Sequence, residues 1–162
     1  MVKSKNFSFF ITLPSFFIGL CLDMLPSTQF SIWAAPKWSL LILIYWIIAL
    51  PFSVGIFTGF CLGILLDLLT GSLLGEHAFG YIIISYIVIK FARIIKVYPV
   101  AQQMVVVLAL ITIYQSIIFI IQKLLTQAPY TLLFWMPIIS SALAWPLVFI
   151  VLKKFRYSGE FC

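Results

Sequence analysis

This chain offers few residues with which to build chemistry: four carboxylates, one imidazole (His77) and three thiols in 162 residues. A structural or catalytic zinc site needs three or four clustered His, Cys or carboxylate ligands, and a single histidine cannot complete an H-E-x-x-H pair. Cys21 and Cys61 fall inside apolar runs and Cys162 is the last residue given, so their spacing resembles neither a disulfide framework nor a metal cluster. No G-x-S-x-G elbow, Walker loop or dinucleotide glycine pattern occurs. The expectation is a protein that is not an enzyme, with no metal and no cofactor.

The most informative pattern is a ladder at four-residue spacing: Gly55, Gly59, Gly63, Asp67, then Gly71. On a helix these share one i±4n ridge, so the glycines form a groove that admits a second helix, and the ridge delivers Asp67 at its end. The plain reading of the glycines is helix packing; the sharper one is a partner surface. Asp67 is harder to treat as incidental, because a carboxylate in a membrane segment costs about 2.5–3.5 kcal/mol on insertion scales and normally faces a partner. It stands at the carboxyl end of its own helix, where the macrodipole disfavours an anion. A compensating donor is expected from Lys37, His77 or Lys123. Asp23, near the end of the first segment, reads as an interfacial residue that reaches water. Glu76 and His77 are adjacent in a turn.

The elements that must position these groups are membrane helices. Hydrophobic residues make up 64% of the chain and charged residues 9%, against roughly 45–50% and about 25% in soluble domains. A membrane barrel would alternate polar and apolar residues, and the run 40–50 does not. Six apolar segments are expected, at 7–25, 36–50, 54–69, 78–89, 100–121 and 134–152, in one polytopic membrane domain over residues 1–162. Proline and glycine mark the breaks: Pro26, Pro36, Pro51 and Pro99, with Gly71 and Gly75 in a turn. The fifth segment is about 33 Å long and spans easily; the second to fourth reach only about 18–24 Å. That marks residues 36–89 as the protein-lined centre, with a re-entrant hairpin or five spans as alternatives. The amino-terminal stretch has the outline of a secretory signal, yet no A-x-A-like site follows closely, so a retained first helix is the better reading.

Charge favours six spans. With both termini cytoplasmic, Lys3, Lys5, Lys90, Arg93, Lys96, Lys153, Lys154 and Arg156 collect inside, and Lys37 and Lys123 stay outside. Trp33, Trp38, Tyr130 and Trp135 then mark the outer interface, and Tyr98 and Tyr157 the inner one. The formal charge of +6 is too thinly spread to make a nucleic-acid footprint. Gln115, with Thr112, Tyr114 and Ser116 around it, and Ser140 and Ser141 are expected to hydrogen-bond between helices. A polar substrate pocket is the second reading of the same residues. Pro146 should kink the last helix.

The run from Pro36 through Tyr45 and Trp46 to Pro51, followed by Gly59, Gly63, Asp67, Gly71 and Gly75 in GFCLGILLDLLTGSLLGEHAFG, resembles the rod shape-determining protein MreD family. The ending AWPLVFIVLKKFR, residues 144–156, is similar to that family's last helix and basic tail. The resemblance implies a non-catalytic, multi-pass component of the bacterial inner (cytoplasmic) membrane. It would belong to the cell-elongation complex that links the filament protein MreB and the bitopic protein MreC to peptidoglycan synthesis and maintains cell shape. The implied partners are an MreC-like protein, MreB-like filaments and elongation synthases, directly or indirectly, and membrane lipid; nucleic acid is not among them, and a homo-oligomer is left open. In fold, the resemblance implies a relation to the substrate-binding subunits of energy-coupling-factor transporters, which leaves room for a small lipid or precursor pocket. The alternative function is accordingly a small-molecule- or lipid-binding subunit of a transporter. Such subunits dock through Ala-x-x-x-Ala patches on their first helix, and residues 7–25 contain no alanine.

Overall fold

The computed structural model describes residues 3–25, 35–51, 53–125 and 132–159. Six α-helices run through them: α1 Lys3–Met24, α2 Trp38–Ala49, α3 Ile56–Thr70, α4 Glu76–Ile95, α5 Val100–Leu125 and α6 Met136–Gly159. A 3₁₀ turn at Leu132–Trp135 leads into α6, and no strand occurs among the described residues.

The distribution of polarity is that of a protein solvated by lipid. Phe57 is 78% exposed, Leu74 72% and Phe17 70%, while Ser39, Ser85, Ser141, Gln103, Gln115, Asp67 and Glu76 are buried. In water that inversion would leave large apolar patches unexplained; in hydrocarbon the apolar face needs no cover, and every polar group seeks a partner inside. α4, α5 and the stretch Met136–Phe155 are long and apolar enough to cross a membrane, and α2 and α3 are shorter apolar helices.

α2 is the axis of the bundle. Every residue from Ser39 to Ile48 is buried, as required of a helix that is apolar all round and has no polar face to turn outward. α1, α4 and α6 pack around it, with Phe16, Leu20, Tyr81, Ile84, Trp145 and Val148 in one apolar core with its leucines and isoleucines. Tyr45 stands edge-on to Phe149 of α6 at 5.8 Å, and the Trp46 indole donates to Ser15 Oγ of α1 at 2.8 Å. Central placement explains how a 12-residue helix persists in a membrane protein: protein, not lipid, surrounds its ends.

Two expectations about the centre are corrected. The segment expected at 78–89 is a 20-residue helix, 76–95, because Val88, Ala92 and Ile95 continue its buried face while Lys90, Arg93 and Lys96 are exposed on the other side. The shared centre expected for 36–89 contracts to α2. α3 is peripheral: it buries Gly59, Leu62, Gly63, Leu66 and Asp67 and turns Phe57, Leu65, Leu68 and Leu69 outward. Both α1 and α6 continue as helix through their prolines, Pro14 and Pro146.

Candidate functional site: a capped polar cluster at one end of the bundle

Antiparallel succession brings the carboxyl ends of α1, α3 and α5 to the amino ends of α2, α4 and α6. Asp23, Lys37, Asp67, Glu76 and His77 therefore meet at one end, although 54 positions separate the first from the last. Lys90, Arg93 and Lys96 lie toward the opposite end, in the last turns of α4.

Asp67 sits on the last turn of α3 with its side chain fully buried. Its Oδ2 accepts the Gly75 N–H at 2.7 Å, and Oδ1 accepts the His77 N–H at 3.0 Å and the His77 Nδ1–H at 2.7 Å. Ser72 Oγ adds a fourth donation at 3.1 Å. Gly75 and His77 open α4, so Asp67 is an amino-terminal cap supplied by the preceding helix. The macrodipole argument from sequence is thereby reversed: the anion is at the carboxyl end of its own helix but at the positive end of the next. Of the three donors expected for it, His77 is the one bonded; the Lys123 ammonium lies over the Phe119 ring, 5.9 Å from its centre.

The turn that allows this is made by two glycines. Gly71 ends α3 at φ 65° and Gly75 precedes α4 at φ 99°, both in the left-handed region that side-chain-bearing residues avoid. Gly59 and Gly63 serve differently. A Cβ on Gly63 would strike the Ala78 backbone, and one on Gly59 would strike the Ser85 hydroxyl and lie 3.2 Å from the Tyr81 carbonyl. The groove of the α3 ridge is thus filled by α4 of the same chain. Gly55 is not part of it: it precedes the helix in extended conformation, and a Cβ there would only touch Ile89 at 4.0 Å.

Asp23 repeats the device and does not simply reach water. From the end of α1 it accepts the N–H of Trp38 at 2.8 Å and of Ser39 at 3.1 Å, together with the Ser39 hydroxyl, which cap α2. The Ser39 hydroxyl also bonds the Tyr81 phenol at 2.6 Å, tying both caps to the core. The Lys37 N–H donates to Ser141 Oγ of α6 at 3.0 Å, and Glu76 accepts from the Gln122 amide of α5. At the opposite end Gln103 does the complementary job, donating from Nε2 to the Ile95 and Tyr98 carbonyls, both at 3.1 Å. Gln103 escaped the sequence reading; its only signal was a polar side chain one turn after Pro99.

Ser72, His77 and Asp67 are close enough to invite comparison with a nucleophile relay. The Ser72 hydroxyl donates to the carboxylate, and the imidazole nitrogen it meets at 3.3 Å is the one already committed to Asp67. A relay would place the second ring nitrogen against the serine; the observed geometry is that of a cap. Among the described residues no group of three or more His, Cys, Asp or Glu could hold a metal ion.

Pro36 and Lys37 wall a pocket of about 400 Å³ with Asp23 and His77. Pro51, at the far end of α2, borders another of about 300 Å³ with Arg93 and Lys96. Gln115 donates to the Phe134 carbonyl at 2.8 Å, whereas Thr112, Ser116 and Ser140 bond back to their own helices. Trp38 and Trp135 lie at the acidic end and Tyr98 at the other; Trp33, Tyr130 and the Tyr157 side chain fall outside the described residues.

Residues 3–155 match the family described as rod shape-determining protein MreD. The chain belongs to the MreD family. A rod shape-determining protein MreD of Haemophilus influenzae is 32% identical over 150 residues, which cover 91% of this chain and 91% of the relative. No solved structure matches, so the implied likeness to energy-coupling-factor subunits gains no support there. Membership of the MreD family and the inverted polarity together make this a membrane protein of the cell-shape machinery.

Proposed function

We propose that the chain is a non-catalytic, multi-pass component of the bacterial inner membrane, with both termini cytoplasmic, that couples MreB- and MreC-like partners to peptidoglycan synthesis. The observation that carries this reading is the family match over residues 3–155. The physical reading is consistent with it. Residues 1–162 act as one polytopic domain that holds partners within the bilayer: Asp23 and Asp67 are used as helix caps, Glu76 is bonded to Gln122 of α5, and the connections between α3 and α4 and between α4 and α5 are five and four residues. An inside location for the Lys90, Arg93 and Lys96 end follows from the positive-inside rule. Pro36, Tyr45, Trp46, Pro51, Gly59, Gly63, Asp67, Gly71 and Gly75 act structurally on this reading, holding α2 and the α3–α4 hairpin so that the lipid-facing helices present fixed surfaces to an MreC-like single-span protein or a second copy. Gly55 is the weakest member of the set, since nothing packs closely on it.

Depletion in the rod-shaped host tests the proposal. Cells should become round and swell, and affinity purification of the chain should recover an MreC-like bitopic protein. Retained rods on full depletion would overturn it.

A further inference from the structure

The pocket of about 300 Å³ at the far end of α2 is a cleft open on one side, walled by Ile48 and Pro51 at the end of α2 and by Ile89, Ala92, Arg93 and Lys96 in the last turns of α4. Its two cations have no acidic partner among the described residues: the one ion pair there is His77 with Asp67, at the opposite end of the bundle, and Asp23 and Glu76 are bonded at that opposite end too. The fourth carboxylate, Glu160, lies outside the described residues. α4 fixes the depth of the cleft. Its 20 residues rise about 30 Å, the thickness of a hydrocarbon core. With Glu76 at one boundary, Lys96 therefore stands at the other, at the level of lipid head groups, and Arg93, three residues back, reaches that level by extending its side chain. The neighbouring surface is built for acyl chains, since Phe57 of α3 and Phe91 and Ile94 of α4 are exposed.

We propose that this cleft binds the phosphodiester of an anionic phospholipid, with Arg93 and Lys96 on the phosphate oxygens and the wall of Ile48, Pro51 and Ile89 against the glycerol and first acyl carbons. Charge decides the class of ligand. The carboxyl ends of α2 and α4 each bring about half a negative charge to the cleft, so its two cations leave about one positive charge uncompensated, before Lys90, exposed a turn earlier, is added. A phosphodiester carries one negative charge. The ammonium of a choline head group would cancel that charge and bring a third cation to the cleft, so the fit is to a lipid with net negative charge. Arg93 can meet two phosphate oxygens at once, and Lys96 adds a point charge. At about 30 Å³ per water-sized group the cleft holds roughly ten such groups, room for a phosphate with its glycerol. The inference deepens the reading above, in which this end faces the cytoplasm and its anionic leaflet; the binding itself does not depend on that orientation.

The test uses the full chain in neutral detergent micelles, titrated with dioleoyl phosphatidylglycerol or dioleoyl phosphatidylcholine, with bound lipid counted by native mass spectrometry. The unsubstituted chain should retain one phosphatidylglycerol in preference to phosphatidylcholine. Arg93→Gln and Lys96→Gln should each weaken that binding about fivefold, the worth of one basic residue at an anionic surface. Both side chains are exposed, so without added lipid the two variants should unfold at the temperature of the unsubstituted chain. A double variant, Lys153→Gln with Lys154→Gln, removes two charges from the same end of the bundle on α6 and should bind as the unsubstituted chain does. Phosphatidylglycerol with a photoreactive head group gives a readout that needs no substitution: it should label residues 89–96. No preference for the anionic lipid, an equal loss in the α6 variant, or labelling that avoids residues 89–96 would each overturn the proposal. Micelles have no sides, so these outcomes are separate from the orientation and from the cell-shape role, which depletion tests.

Discussion

Replacing Asp67 separates the capping role from any other, because the structure states which donors each replacement strands. Asn can keep the Oδ1 acceptor for His77, but its amide nitrogen then faces the Gly75 N–H now held at 2.7 Å. That exchange loses one charge-assisted hydrogen bond, about 1.5–3 kcal/mol, and weakens the others by removing the charge. Leu strands the backbone N–H groups of both Gly75 and His77, at about 1–3 kcal/mol each, for a total of about 2–6 kcal/mol. The order of stability should therefore be Asp, then Asn, then Leu. Denaturant unfolding in detergent micelles measures it, and hydrogen exchange at the Gly75 and His77 amides localises it, since those two should lose protection first. If Asp67→Leu unfolds within about 0.5 kcal/mol of the parent, the range of an ordinary surface substitution, the carboxylate is not holding the start of α4.

Asp23→Leu should act in the same direction at α2, at about 1–3 kcal/mol, because it strands the Ser39 amide while the Trp38 amide keeps the Pro36 carbonyl at 3.1 Å; unchanged unfolding would refute the parallel between the two caps. Gly63→Leu should abolish accumulation in the membrane, since the atoms in the way are Ala78 backbone and cannot yield; immunoblotting of membrane fractions decides it. Gly59→Ala should cost about 1–3 kcal/mol and be partly rescued by Ser85→Ala, which removes the hydroxyl that the new Cβ meets; additive losses in the double mutant would rule out that contact. Reporter fusions after Lys5, Arg93 and Arg156 should read cytoplasm and those near Trp33, Gly75 and Gln127 the other side; an outer-side signal at Arg156 would exclude six spans.

Composition and run length by themselves determined that this is a helical membrane protein. A 64% hydrophobic chain leaves its backbone no way to be satisfied in lipid other than helices or a closed barrel, and the absence of alternation removes the barrel. The four-residue ladder determined that α3 carries a close-packing face, because only helix geometry gives that spacing a meaning, and insertion cost alone required Asp67 to have a partner. What covers the ladder was not in the pattern. A glycine groove reads the same whether the next helix of the chain or another protein fills it, and the positive-φ turn from Gly71 to Gly75 decided for α4. Nor could sequence distinguish a short helix at the lipid boundary from one at the centre, since α2 is apolar on every face and its surroundings are set by the preceding helix together with α4 and α6, both remote in sequence. The same holds for the carboxylates. Asp67 read as an anion at the wrong end of a helix and Asp23 as an interfacial residue that reaches water, and only the antiparallel return of the chain puts the amino terminus of the following helix, with its unpaired N–H groups, against them.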